Sequence, residues 1–64
     1  MIYIDFYDAN GRFVVRHTIE LNEPHKYALM VAFTYCKAIF SWYKNADSAL
    51  VLIDNKIREF KRHE

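Results

Sequence analysis

Three patterns of apolar spacing divide the chain. Apolar and polar residues broadly alternate from Ile2 to Leu21, apolar residues then crowd almost every position from Tyr27 to Tyr43, and a short unbroken apolar run returns at Leu50–Ile53. Alternation with a period of two is the pattern of a half-buried strand. In the first segment it is interrupted by Asn10-Gly11, a pair suited to positive φ at both centres of a two-residue loop, so Ile2–Leu21 is predicted to be a β-hairpin. Such a loop sets Phe6 opposite Val15, Ile4 opposite His17 and Ile2 opposite Ile19 on one face, and Tyr7 opposite Val14, Asp5 opposite Arg16 and Tyr3 opposite Thr18 on the other. The first face is apolar, and the second carries an opposed charge pair.

The crowded segment is predicted to be one long helix from Pro24 to Lys44. Proline suits the first turn, where its missing N–H has no intrahelical partner, and Asn22 and Glu23 stand where capping residues belong. At 100° per residue Lys26, Thr34, Lys37, Ser41 and Lys44 gather in a narrow stripe interrupted by Met30, and roughly two-thirds of the circumference is apolar, well beyond the single stripe a surface helix requires. That arc has two shoulders. Leu29, Phe33, Cys36 and Phe40 form one; Tyr27, Val31, Tyr35, Ala38 and Trp42 form the other, with Ala28, Ala32 and Ile39 between. The arc has two readings: a helix buried whole in the groove of one chain's small core, or, as favoured here, one shoulder covering the sheet while the Tyr/Trp shoulder meets a second copy or another partner.

After a polar break at Asn45–Ser48, the run Leu50–Ile53, the turn-forming Asp54-Asn55 and then Ile57–Phe60 predict a second hairpin. A C-terminal helix is the alternative, because Leu50, Ile53, Ile57 and Phe60 also recur at helical spacing after Asp47. It leaves Val51 and Leu52 off the apolar face and an Asp-Asn pair in mid-helix. The resulting expectation is an α+β fold of order ββαββ, two antiparallel hairpins forming a small sheet packed on one central helix, as a single domain over 1–64. A helix of about 20 residues is ~30 Å long and overhangs a sheet of short strands.

Length adds pressure toward association. A 64-residue domain buries only about 60% of the surface its unfolded chain exposes. One cysteine allows no internal disulfide and no Cys-x-x-Cys metal motif, which favours a reducing compartment and makes Cys36 a core residue. No basic-then-apolar leader stands at the amino terminus, and Lys26, Lys37 and Lys44 punctuate the helix, so the expectation is a soluble, cytoplasmic protein without a membrane span.

Nine Lys and Arg against eight Asp and Glu give a formal charge of +1, too little for a strongly basic nucleic-acid binder. The balance is uneven, because Lys56, Arg58, Lys61, Arg62 and His63 crowd the last segment. The single glycine is committed to the first turn and cannot build a phosphate cradle, and no hydrolase, metalloprotease or dinucleotide motif occurs. His17 lacks a second ligand or carboxylate at a useful spacing and reads as a structural histidine; His25 and His63 read as exposed, and Asp5, Asp8 and Asp54 as paired or turn carboxylates. No catalytic residue, metal or cofactor is therefore expected. The favoured function is a non-enzymatic protein-binding module, homodimeric through Tyr27, Val31, Tyr35, Ala38 and Trp42, and acting as an inhibitor or regulator of a host enzyme or defence complex. Short proteins without catalytic motifs are often products of phages or mobile elements, and the Ile, Lys and Asn usage suits an AT-rich genome. The alternative is a small nucleic-acid-binding protein in which Lys56, Arg58, Lys61 and Arg62 join the helix lysines in contacting phosphates, with Tyr3 and Tyr7 as stacking platforms.

Overall fold

The computed structural model describes residues 1–21 and 25–63. Its elements run β1 (Ile2–Tyr7), β2 (Phe13–Ile19), α1 (His25–Trp42), β3 (Ser48–Ile53) and β4 (Lys56–Lys61). This is the ββαββ order expected from the spacing, and the C-terminal helix is not formed. The expected helix start at Pro24 with its caps Asn22 and Glu23, and the side chain of His25, lie outside the described residues. The far end falls short of Lys44: α1 stops at Trp42, and Tyr43 N–H still donates to Ile39 O at 2.8 Å.

The four strands form one antiparallel sheet in the order β2-β1-β3-β4. The two hairpins therefore join through their inner strands, with Ile4 opposite Val51 and Phe6 opposite Ala49. Ile2, Ile4, Phe6, Ala49, Val51 and Ile53 turn one face to Ala28, Ala32, Cys36, Ile39 and Phe40 of the helix, and all are buried. The small residues Ala28, Ala32 and Ala49 at this contact let the helix lie close to the sheet, where Phe6 and Phe40 meet edge to face at 5.4 Å.

The first turn differs from the expected two-residue loop. Asp8 N–H donates to Arg12 O, Gly11 N–H donates to Asp8 O, and Gly11 has φ of 79° while Asn10 keeps a negative φ. This is a three-residue loop whose last position is left-handed, a conformation natural to glycine. The Asp8 carboxylate fastens it by accepting from Asn10 N–H at 2.9 Å and Arg12 N–H at 2.8 Å. The longer loop pairs Tyr7 with Phe13 instead of Val14. A bulge that leaves Val14 as the extra residue then restores the expected register from Phe6–Val15 to Ile2–Ile19. Burial explains the correction: without it Val15, His17 and Ile19 would swing to the opposite face.

In the second hairpin Ile53 pairs with Lys56 across Asp54-Asn55, and Asp54 takes a left-handed φ of 55°, which the short polar side chain tolerates. Among the described residues no helix is long and apolar enough to cross a membrane.

Candidate interaction surfaces

The helix lies along the middle of the sheet, packing on β1 and β3, and so leaves a flank on either side. Toward β4, Phe33 meets Phe60 at 4.8 Å between ring centres. Toward β2, the Tyr35 hydroxyl and His17 Nδ1 stand 3.2 Å apart, with His17 also edge-on to Phe6, Tyr35 and Tyr43. His17 is thus structural, but only in part satisfied: its Nε2 is buried without a hydrogen-bond partner among the described residues.

The outer face of α1 is the candidate site. Tyr27 is 57% exposed, Trp42 71%, and Met30, Val31 and Ala38 are also exposed, while Tyr35 is half-buried because its hydroxyl reaches His17. Tyr27, Met30, Val31, Thr34, Tyr35 and Ala38 line a shallow groove of about 470 Å³ that contains no charged side chain. Two of its members escape a reading by residue type. Met30 merely interrupts a polar stripe on the helical wheel, and Thr34 belongs to that stripe. In the fold Thr34 Oγ1 donates to Met30 O at 3.1 Å, and Ser41 Oγ donates to Ala38 O at 2.7 Å. Both hydroxyls turn back onto the helix backbone, so the outer face needs less water than its composition suggests. Trp42 lies outside the groove lining, further along the same side.

The four basic residues Lys56, Arg58, Lys61 and Arg62 do not share one surface. Arg62 is engaged at the end of the helix: Nε donates to Ala46 O and Nη2 to Tyr43 O, each at 2.7 Å, and its guanidinium lies 5.3 Å from the centre of the Phe40 ring. A cation suits carbonyls left over at a helix C-terminus. Lys56 and Arg58 sit on the helix side of β4, whereas Lys61 falls on the opposite side by strand alternation. Tyr3 and Tyr7 are also on that far side, away from Lys26 and Lys37. The far side of the sheet is itself partly apolar, with Tyr3, Leu52 and the 66%-exposed Ile57 in one cross-strand row.

Asp5 is the buried charged residue of that far side, 7% exposed. The Arg16 guanidinium holds it from the neighbouring strand, Nε to Oδ1 and Nη2 to Oδ2 at 2.8 Å. This forked hydrogen bond lowers the Asp5 pKa against the opposing effect of burial, and raises that of Arg16. Burial pushes the Cys36 thiol up to about 11, which suppresses the thiolate. Among the described residues no group of three or more His, Cys, Asp or Glu is placed to hold a metal ion. Comparison of the chain with protein-family models, curated proteins and solved structures returns no match.

Proposed function

We propose that this chain is a protein-binding module that pairs with a second copy of itself through the outer face of α1. The observation that carries the proposal is the uncharged groove along Tyr27, Met30, Val31, Thr34, Tyr35 and Ala38, open to solvent in the single chain. Two copies can meet there without burying a charge, the usual obstacle to closing such a seam. Tyr27, Val31, Thr34 and Ala38 follow one another at steps of four, three and four residues, the spacing of a seam between two helices. At the centre, Thr34 and Ala38 are small enough for close approach, and Tyr27 and Trp42 supply the large amphipathic rings that interfaces favour. The link to His17 holds Tyr35 in place before a partner arrives, which lowers the entropy lost on binding.

An inhibitor or regulator is the class of activity this reading supports, because the module offers a surface. The nucleic-acid alternative has less support, because Arg62 is engaged at the helix end and Lys56 and Arg58 lie on the side of the sheet away from Tyr3 and Tyr7.

The test is the solution mass by light scattering over about a hundredfold dilution, for the native protein and for Val31→Asp. A native dimer and a monomeric, equally folded variant are the expected results. A native protein that is monomeric at every concentration overturns the proposal.

A further inference from the structure

The second flank of the helix has a different chemistry. Two adjoining grooves of about 210 and 260 Å³ run between α1 and β4, sharing Leu29 and Arg58; Val51, Ile53, Lys56 and Ile57 complete the first, Phe33 and Phe60 the second. Their floor is apolar and their rim is cationic. Arg58 lies 5.6 Å from the centre of the Phe60 ring and Lys37 4.7 Å from that of Phe33, so contact with the ring faces steadies both charges. Among the described residues the only ion pair is Asp5–Arg16, which leaves Lys37, Lys56 and Arg58 without a carboxylate partner.

The grooves border a sheet edge. β4 is the last strand, pairs only with β3, and makes no backbone hydrogen bond on its outer side among the described residues. From this geometry we infer that β4 receives an extended acidic segment of a partner protein as a fifth strand. The added backbone pairs with the free edge. Its acidic side chains meet Lys56 and Arg58 on the helix side, and its apolar ones lie on the other side against exposed Ile57. A strand paired along Lys56–Lys61 spans about 20 Å.

Charge selects this occupant over the obvious rival. Lysines on an edge strand ordinarily guard against pairing with another copy. β4 carries Lys56, Arg58 and Lys61 against the single Glu59, so its cations repel a basic strand and attract an acidic one. The opposite edge lacks this bias, since Arg16 of β2 is already paired with Asp5. The site is separate from the outer face of α1, and either can fail without the other.

The experiment titrates the full chain with a fluorescently labelled peptide of alternating glutamate and valine, following anisotropy, and maps contacts by amide exchange. Controls are the peptide with lysine in place of glutamate, and the acidic peptide with proline at its centre, which removes an edge hydrogen bond. The acidic peptide is expected to bind, to weaken with salt, to protect amides of Lys56–Lys61, and to lose affinity with the central proline. Arg58→Glu and Lys56→Glu alter exposed side chains and should each weaken it by about tenfold. Equal binding of the acidic and lysine peptides, protection confined to β2 or α1, or no binding by the acidic peptide overturns the inference. Light scattering on the same samples keeps the result distinct from self-association.

Discussion

Arg62 sits in a basic terminal run, yet the fold uses it as a clamp on the α1–β3 loop, with its guanidinium shared between Tyr43 O and Ala46 O. Arg62→Ala should lower stability by about 1–3 kcal/mol, the cost of losing a charged donor from such acceptors, as measured by urea denaturation. Arg62→Lys should recover only part, because an ammonium does not reproduce the planar fork. Asp5 gives a pH dependence whose sign is set by its lowered pKa. The folded state binds the Asp5 proton less readily than the unfolded chain, so the contribution is complete above the ordinary aspartate value of 3.8 and is lost as pH falls below it through the folded pKa. The acid-side fall in urea midpoint should accordingly be shallower in Asp5→Asn than in the native protein. Cys36 is buried, with its thiol pushed up to about 11. Iodoacetamide at mildly alkaline pH should therefore label it only as fast as the protein opens, and a fast reaction in the native state would contradict that burial.

At the scale of elements, the hairpins and the helix differ in how locally they are specified. In the first hairpin a three-residue turn and a bulge at Val14 together produce the strand register that a simple two-residue turn would have produced. The apolar face governs the register, and the turn adjusts to it. In α1 the buried arc Ala28, Ala32, Cys36, Ile39 faces the sheet and leaves two unlike flanks, one neutral and one cationic. Val31→Asp should abolish self-association while leaving the fold intact, because Val31 is exposed in the single chain. Truncation of Trp42 to Ala should weaken the dimer by roughly 2–4 kcal/mol if it anchors the seam, read as a shift in the dilution midpoint. Tyr35 is a mixed case. Tyr35→Phe keeps the ring and removes the hydrogen bond to His17, so it should reduce stability by about 1 kcal/mol and also weaken the dimer, because the ring is no longer held in place before pairing.

The whole molecule spans 32 × 19 × 18 Å, and an 18-residue helix is about 27 Å long. The helix thus runs nearly the length of the protein, with only one side of it covered by the sheet. A domain this small gains more from a second copy than a large one does, so the thermal midpoint should rise with protein concentration. A concentration-independent midpoint together with a monomeric mass would place the outer face of α1 out of use. Pairing through that face leaves β4 at the margin of each subunit, where an extended partner can still reach it.

The sequence by itself determined the element order, the core-facing positions of the first hairpin and of α1, and the pairing of Asp5 with Arg16. Strand alternation, helical spacing and turn chemistry each act within about ten residues and leave their mark at fixed intervals along the chain. Ile4, Phe6, Cys36 and Ile39 were legible as interior for that reason, and so was the surplus of apolar residues on α1, whereas the unbroken run Leu50–Ile53 does not record which of its members face the helix. The tertiary structure alone decided that β1 and β3 become neighbours, that Tyr35 meets His17, that Arg62 closes the helix end, and that Phe33, Phe60 and Arg58 border one groove. Each of these joins residues from different elements. Their meeting depends on which helical flank turns toward which sheet edge, a choice made by side-chain packing in three dimensions that no periodicity records.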